Sequence, residues 1–275
     1  MIGQVLPRLR TARTPFNVIK SSFQQKKGRF KNLKLLGEGF FAKAYSATLD
    51  GRKVIIKVIV PRTGVHDDAF LESIRREARI MGRLQKYPFV PRLIEVGIDY
   101  YVQEDVGGDS LERLVLKKGL TPHEVLSTAV SVAVIVGLFA DEGIAHSDLK
   151  ADNILLTPGG IVIIDFGVAW EEGGEPPAIA FGGVKNYKQA LAQDVRLILG
   201  LVVTVARSDV PPDIRDALFG IRKKYVGLIV TGKVDKETPD ELARDLMFIT
   251  AQLGARARRS ASLKKKSIRS VIMFG

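Results

Sequence analysis

Two polar motifs in the second half of the sequence decide the fold: His146-Ser147-Asp148-Leu149-Lys150-Ala151-Asp152-Asn153 and, twelve residues after Asn153, Asp165-Phe166-Gly167. Mg²⁺ prefers hard oxygen ligands and is commonly held by one or two side chains together with nucleotide phosphates. Asn153 and Asp165 are therefore candidate metal ligands. Asp148 can accept the proton of an incoming hydroxyl and orient it. The pair of motifs predicts a site for metal-dependent phosphoryl transfer.

A glycine-containing turn and an isolated lysine precede these motifs. The turn is Gly37-Glu38-Gly39-Phe40-Phe41-Ala42-Lys43-Ala44-Tyr45, and it lies between two predicted strands. Glycines let backbone amides approach phosphate oxygens closely, although such a turn is common and weak evidence alone. Lys57 interrupts an apolar strand, where a charge is costly unless it is paired. Glu77, on the following helix, is the favoured partner, and Glu72, on another helix face, is the alternative.

The pattern along the chain predicts an α+β fold with two lobes. Alternating apolar residues predict an antiparallel sheet, and 3.6-residue spacing predicts one helix at His66–Gln85. The predicted strands are Phe30–Leu36, Phe41–Leu49, Arg52–Val60, Arg92–Gly97 and Tyr100–Val106. The sequence after Leu120 is mainly helical. The predicted domains are a basic arm (1–30), a domain at 31–254 with lobes 31–106 and 107–254, and a basic tail (255–275).

Local signals fix two element boundaries. Asp50-Gly51 predicts a tight hairpin turn, because both central residues of such a turn need positive φ. Thr121 is followed by Pro122 and Glu124, which is the pattern of a helix start with a capping box. The helix is expected to end near Gly143.

The charge of the chain is concentrated at its ends. The formal net charge is +12, and residues 1–31 carry eight Lys or Arg while 255–275 carry seven, with no acidic residue in either stretch. Basic ends commonly contact an anionic partner such as nucleic acid or a nucleoprotein. A solvated, disordered end is the equally weighted alternative. The complete lack of cysteine excludes disulfides, thiolate metal sites and a cysteine nucleophile, and suits a cytoplasmic or other intracellular location.

Two apolar runs resemble membrane spans without predicting them. Val125–Ala140 contains three hydroxyl residues and is shorter than the roughly 20 residues that a span needs. Leu197–Ala206 is shorter still. We expect both to be buried helices, and we expect no transmembrane segment and no secretory signal.

Taken together, the segments GEGFFAKAY, VIIKVI, REARIMGRL, HSDLKADNIL and IDFG resemble the protein-kinase signature over about residues 31–205. The resemblance implies that ATP and Mg²⁺ are bound and that Asp148 is the catalytic base. It implies that Lys57 holds phosphates and pairs with Glu77, and that Lys150 neutralises the γ-phosphate. The implied metal ligands are Asn153 and Asp165. The implied nucleotide-binding residues also include Gly37, Glu38, Gly39, Phe40, Phe41, Ala42, Ala44, Glu104, Val106 and Asp109. Asp194 resembles the buried aspartate that braces the catalytic loop.

The departures from that signature concern regulation and substrate binding. Ala42 takes the place of the third glycine, and Ser147 takes the place of the arginine that normally receives an activation-segment phosphate. Consistently, residues 168–193 contain no Ser or Thr, and Tyr187 is their one hydroxyl side chain. No Ala-Pro-Glu sequence ends this segment, which leaves the usual peptide platform in doubt. We therefore predict a kinase that is active without phosphorylation of this segment.

Three functions remain open at this level. The favoured one is ATP-dependent phosphorylation of a protein Ser or Thr hydroxyl. The second is a small-molecule phosphotransferase of the aminoglycoside or choline kinase type. The third is a non-catalytic pseudokinase that acts as a binding module. The retention of five catalytic side chains argues against it: Lys57, Glu77, Asp148, Asn153 and Asp165. The physiological substrate, the regulator and the oligomeric state are not encoded in any motif.

Overall fold

The computed structural model describes residues 22–39, 42–59, 67–117, 119–177 and 183–273, with side chains excluded at 67–70 and 260–273. The chain divides into two compact units. Unit 1 comprises Met1–Arg75 and Ile94–Glu104, and unit 2 comprises Arg76–Leu93 and Asp105–Gly275. Unit 1 contains the main antiparallel sheet and unit 2 contains most of the helices, so the predicted α+β class with a sheet-rich first part is confirmed.

Unit 1 is built on a five-stranded sheet. The strands are β1 (Lys31–Glu38), β2 (Ala42–Leu49), β3 (Arg52–Ile59), β4 (Leu93–Val96) and β5 (Tyr100–Glu104), arranged in the order β1-β2-β3-β5-β4. β2 and β3 form the predicted hairpin. Asp50 and Gly51 at its tip have φ values of 49° and 78°, which is the backbone that this tight turn requires.

The residues just before β1 pack on the sheet. Ser22–Lys26 form helix α1, which is followed by a 3₁₀ turn at Lys27–Arg29. The rings of Phe23 and Phe30 are 3% and 5% exposed and belong to the core of unit 1. Residues 22–30 were predicted as part of a basic arm, but they pack on the sheet of unit 1, so the folded unit does not start at Lys31. Residues 1–21 of that arm lie outside the described residues.

Charges also hold this segment. Lys26 and Arg29 form ion pairs with Glu95, at N–O distances of 2.9 and 3.0 Å. Ser22 Oγ donates a hydrogen bond to the buried Asp99 carboxylate at 2.8 Å. Two of the basic residues that raise the charge of the chain end are thus partnered within unit 1.

Unit 2 is mainly helical with two small sheets. The helices after α2 (Asp67–Leu84) are α3 (Leu111–Leu116), α4 (Pro122–Asp141), α5 (Tyr187–Ala206), α6 (Pro212–Val230) and α7 (Thr238–Met273). The strands are β6 (Asp109–Ser110), β7 (Ile144–Ala145), β8 (Ile154–Thr157), β9 (Gly160–Ile163) and β10 (Trp170–Glu171). β6, β8 and β9 form one sheet, and β7 pairs with β10 in the other. Helix α2 divides between the units at Arg75 and Arg76.

The start of α4 follows its predicted capping box. Thr121 Oγ1 accepts a hydrogen bond from Glu124 N, and the Glu124 carboxylate accepts one from Thr121 N at 2.7 Å. These bonds satisfy backbone donors that a helix start otherwise leaves unpaired. α4 then packs against both α5 and α7, which places its apolar residues in the core of unit 2.

By length and composition α4 and α5 could each cross a membrane. In the structure 61% of the most apolar stretch of α4 and 56% of that of α5 is buried inside the protein. Helices in the core of a protein can be just as long and apolar, so these two helices are weak evidence for a membrane span.

The last helix continues into the predicted basic tail. α7 extends from Thr238 to Met273 without a break at residue 255. Arg256, the first basic residue of the tail, forms an ion pair with Asp213 at the start of α6. At least the beginning of the tail is therefore helical and attached to unit 2.

Candidate active site

A buried aspartate fixes the backbone of the His146–Asn153 loop. Asp194, on α5, is 1% exposed, and its two carboxylate oxygens accept hydrogen bonds from His146 N at 2.7 Å and Ser147 N at 2.9 Å. Ser147 has a φ of 68°, a left-handed backbone that is uncommon for serine. We term these two hydrogen bonds the Asp194 clamp. They compensate for that conformation and set the direction in which the loop leaves β7. The predicted contact of Asp194 with this loop is confirmed.

The protonation of Asp194 responds to its surroundings. Burial raises the pKa of the Asp194 carboxyl to about 8, while the hydrogen bonds from His146 and Ser147 oppose the increase because they stabilise the charged form. A carboxyl whose pKa is higher in the folded than in the unfolded chain contributes stability below its unfolded pKa, near 4. That contribution is lost as the pH rises through about 8.

Replacing Asp194 with asparagine tests this clamp. The shape is kept, but an amide nitrogen cannot accept, so one buried N–H of the loop loses its acceptor. An unsatisfied buried donor costs about 1–3 kcal/mol. We expect Asp194→Asn to lower the free energy of unfolding by that amount at pH 6, measured by urea denaturation, with a smaller difference at pH 8.5. Asp213→Asn, at an exposed carboxylate on α6, is the matched control and should change little. Equal stability of the two variants at pH 6 would contradict the clamp.

Lys150 and Asn153 converge on Asp148. Lys150 Nζ lies 2.9 Å from Asp148 Oδ2, and this hydrogen bond is the main reason that the pKa of Lys150 is raised. Asn153 Nδ2 donates to the Asp148 carbonyl oxygen at 2.9 Å and approaches Asp148 Oδ2 at 3.4 Å. Asp148 is about one-third exposed, so a reacting hydroxyl could reach its carboxylate. The structure thus brings together three of the predicted catalytic-loop residues.

Asp165 is held beside the same loop through its neighbour Ile164. Ile164 N donates to the Asn153 carbonyl at 3.0 Å, and Ile164 O accepts from His146 Nε2 at 3.0 Å. Burial lowers the pKa of His146, and its Nε2 carries a proton because the carbonyl oxygen that it contacts can only accept. The ring packs on Phe166, with centroids 4.9 Å apart. Asp165 itself has a φ of 70°, an uncommon conformation for aspartate that recurs at functional sites.

The side chains at this site fit a magnesium ion. The Nδ2 group of Asn153 is engaged by Asp148, so the amide oxygen is the atom that could bind a metal. Asp165 adds a carboxylate, and both groups are the hard oxygen donors that Mg²⁺ prefers. Among the described residues, no group of three or more His, Cys, Asp or Glu side chains could hold a metal ion. A two-residue site of this kind relies on phosphate oxygens for its remaining ligands.

The predicted phosphate-binding residues of unit 1 lie in register across the sheet. Gly37 pairs with Ala44, and Ala44 pairs with Lys57 on the next strand. The turn is closed by a hydrogen bond from Gly39 N to Ala42 O at 2.9 Å, and Glu38 forms an ion pair with Lys43 at 3.3 Å. Phe40 and Phe41 lie outside the described residues.

The two candidate partners of Lys57 differ in burial. Glu77 is 1% exposed, whereas Glu72 is exposed, and Lys57 is half-buried in β3. A buried carboxylate needs a compensating partner far more than an exposed one does. The pairing of Lys57 with Glu77 stays a prediction, as does the alternative with Glu72.

The predicted adenine and ribose contacts lie near the end of β5. Glu104 is the last residue of β5, and Val106 precedes Gly107 and Gly108, which have positive φ values. A Cβ at Gly108 would come within 2.4 Å of the Leu156 carbonyl oxygen, so this position requires glycine. Asp109, in β6, forms an ion pair with Arg113 at 2.8 Å. The nucleotide contacts of Glu104, Val106 and Asp109 stay predictions.

Sequence reasoning missed a second set of charged residues near the loop. Arg76, Arg79 and Arg83 of α2 contact the segment that follows Asp165-Phe166-Gly167, mainly at Glu171. The Gly- and Pro-rich composition of Glu171–Gly183 predicts a loop from Glu171 onward, but Trp170 and Glu171 form strand β10. The available signal was the spacing of the arginines, since positions i, i+3 and i+7 lie on one helix face.

Comparison with known proteins identifies the family of this chain. Relatives include a probable serine/threonine-protein kinase of Clostridium perfringens, 32% identical over 149 residues, which cover 51% of this chain and 22% of the relative. The CBL-interacting serine/threonine-protein kinase 18 of Arabidopsis thaliana is 34% identical over 149 residues, 52% of this chain and 28% of that protein. The chain therefore spans less than a third of the length of these relatives. The protein kinase domain pattern matches residues 30–189, more than half of the sequence. The chain belongs to the protein kinase family.

Proposed function

We propose that this chain transfers the γ-phosphoryl group of ATP to a Ser or Thr hydroxyl of a protein. The arrangement around Asp148 carries the proposal, because its carboxylate is accessible and both Lys150 and Asn153 donate hydrogen bonds to it. The names of the relatives, which are serine/threonine-protein kinases of bacteria and plants, support the choice of acceptor.

The catalytic loop would act in two ways. Asp148 would accept a hydrogen bond from the acceptor hydroxyl, orient it, and take its proton as the new O–P bond forms. Lys150, now paired with Asp148 at 2.9 Å, would neutralise charge on the transferred group. The Asp194 clamp would hold both side chains in position by fixing the loop backbone.

Nucleotide binding would use the residues predicted from the sequence. Asn153 and Asp165 would bind Mg²⁺, which supplies charge neutralisation at the phosphate oxygens. Lys57 and the Gly37–Ala44 turn would contact phosphates, while Glu104, Val106 and Asp109 would contact the adenosine part.

The intracellular location of the chain stays a prediction.

Incubation of the purified chain with γ-labelled ATP tests the proposal. One arm supplies a generic basic protein such as histone or myelin basic protein, and the other supplies an aminoglycoside or choline, each with Mg²⁺ and with EDTA. We expect magnesium-dependent label on Ser or Thr of the protein acceptor. Label on the small molecule alone would favour the small-molecule phosphotransferase. ATP binding without transfer to any acceptor, including the chain itself, would favour the pseudokinase.

We further propose that the basic chain ends bind a nucleic acid or nucleoprotein. The C-terminal stretch supports this, because seven Lys or Arg lie in residues 255–275 with no acidic residue. Binding to duplex DNA should weaken with salt by a log–log slope of about −0.9 per contacted phosphate. Neutralising Lys264, Lys265 and Lys266 to Gln should reduce that slope, measured by fluorescence anisotropy. An unchanged affinity and slope would reject the contribution of this stretch.

A further inference from the structure

Three arginines on one face of α2 bind the segment that follows the Asp165-Phe166-Gly167 motif. Arg76, Arg79 and Arg83 form what we term the arginine face, and residues 168–177 form the tethered segment. All of these residues belong to unit 2. The arginines bind backbone carbonyls of the segment and also the side chain of Glu171. They therefore hold the backbone in one path and neutralise the carboxylate.

Arg76 binds the backbone of the tethered segment. Its side chain is 4% exposed, and its guanidinium donates to the carbonyl oxygens of Ala169 and Pro176 at 3.2 Å each and to that of Glu175. These carbonyls come from both ends of the segment. A rigid guanidinium that donates to three carbonyls fixes their relative positions, and the carbonyl dipoles compensate for its burial.

Glu171 supplies the negative charge opposite the arginine face. Its carboxylate lies 2.7 Å from Arg79 Nη2 and 2.8 Å from Arg83 Nη1, and 3.9 Å from Arg76 Nη2. Burial by itself would raise the pKa of Glu171, but the hydrogen bonds and charges of Arg79, Arg83 and Arg76 outweigh it, and the pKa lies below its usual range. The Glu171 side chain is 14% exposed, so water screens this charge cluster less than it screens a surface pair.

The tethered segment is joined directly to the strand before the catalytic loop. Glu171 pairs with Ile144 and Trp170 with Ala145, in the small β7–β10 sheet. Glu172 N donates to Gly143 O at 2.7 Å. Because β7 leads straight into His146 and Ser147, a displacement of β10 would move the backbone that carries Asp148.

The segment offers little for phosphorylation to act on. Residues 168–177 contain no Ser, Thr or Tyr. Tyr187, farther along, is half-buried, and its hydroxyl lies 3.4 Å from the Ala140 carbonyl oxygen. Ser147, at the position of the phosphate-binding arginine, is 1% exposed and its hydroxyl has no hydrogen-bond partner.

We propose that the Glu171 carboxylate, paired with the arginine face, permanently takes the role of a regulatory phosphate in ordering the tethered segment. In regulated kinases a phosphate on this segment orders it by pairing with arginines. Here a carboxylate of the segment itself makes the arginine pairs, so the segment is held in place without modification. Glu171 and Arg76 are positioning residues, and they act through β7 on the loop that carries Asp148. This inference rests on the proposed kinase activity.

Glu171→Gln tests the tether, with Glu172→Gln as the matched control. Glu172 is the next residue, is exposed, and forms no ion pair within the part of the chain that the structure describes, so its replacement removes the same charge without the arginine contacts. Both variants and the wild type are treated with phosphatase, and mass spectrometry verifies that they are unphosphorylated. The first readout is amide hydrogen exchange of residues 168–177, which requires no activity. The second is kcat and KM for ATP at fixed protein acceptor.

We expect Glu171→Gln to speed exchange of residues 168–177 about 10-fold or more, since hydrogen bonds to charged groups contribute roughly that factor or above. The value of kcat should fall about 10-fold, while KM for ATP stays within about twofold. Glu172→Gln should match the wild type in both readouts. The variant Arg79→Gln/Arg83→Gln should resemble Glu171→Gln, and adding Glu171→Gln to it should have little further effect because the three side chains act as one unit.

The outcomes separate this inference from the proposed function. An active wild type in which Glu171→Gln and Glu172→Gln exchange at the same rate would overturn the tether alone. Faster exchange in Glu171→Gln with unchanged kcat would overturn its positioning role, and a phosphatase-treated wild type that loses its activity would overturn independence from phosphate. A wild type that is inactive before and after phosphatase treatment would overturn the proposed function, and the regulatory inference with it, while the exchange data still show whether Glu171 orders the segment.

Discussion

Asp148→Asn is expected to reduce kcat by about 10²–10⁴-fold, the range that a positioned general base contributes. The amide keeps the shape of the side chain and its approach to Lys150 and Asn153, but it cannot take a proton from the acceptor hydroxyl. Binding of ATP should stay within about threefold of the wild type, because Asp148 is not predicted to contact the nucleotide. Initial rates with γ-labelled ATP give kcat, and isothermal titration calorimetry gives ATP affinity.

Asp152→Asn is the matched control for that experiment. Asp152 is an exposed carboxylate on the same loop, one residue before Asn153, and it has no role in the proposed mechanism. Its replacement should leave kcat within about twofold. Full activity of Asp148→Asn would reject Asp148 as the base. A comparable loss in both variants would point to the general charge of the loop as the cause.

Phe23→Ala is expected to lower the free energy of unfolding by about 3–5 kcal/mol, the usual effect of emptying a buried phenylalanine site. Phe23 is 3% exposed, and its ring lies 5.9 Å from Phe30, 6.0 Å from Tyr45 and 5.8 Å from Tyr100, measured between centroids. Its removal opens a cavity in this aromatic cluster. Urea denaturation followed by circular dichroism measures the change.

Phe248→Ala, the same replacement on α7, is the control because Phe248 is 66% exposed. It should change stability by less than about 0.5 kcal/mol, as is usual for surface substitutions. If Phe23→Ala were as mild as Phe248→Ala, residues 22–30 would not be part of the folded unit, and the first domain would begin near Lys31 as the sequence predicts.

The catalytic loop shows how much the sequence could predict. Asp148, Asn153 and Asp165 were identified from residue types and spacing, and the structure brings the first two into contact and holds the third beside them through Ile164. Lys150 and Asn153 lie within five positions of Asp148, so their contacts with it are local. The bracing contact of Asp194, 47 residues from Ser147, came from family resemblance, since no local pattern encodes it.

What the sequence alone determined is the set of elements that local interactions specify. The Asp50-Gly51 hairpin depends on the φ values of two residues, and the Thr121 capping box depends on residues three positions apart. The α+β class follows from hydrophobic periodicity, which is also local. Each of these features is encoded within a few residues, and each was predicted at or near its observed position.

Only the tertiary structure decided which distant segments these elements hold. The basic residues around Phe23 predicted a basic arm outside the folded domain, yet the Phe23 ring is buried against Tyr100, 77 positions away. Nearby, Glu95 pairs with Lys26, and Asp99 accepts a hydrogen bond from Phe23 N. The Gly- and Pro-rich stretch around Glu171 indicated a loop, yet Arg79, 92 positions away, binds it. In both cases the local composition was read correctly. Burial and charge pairing between segments far apart in the chain then outweighed it, because these interactions exist only once the chain has folded.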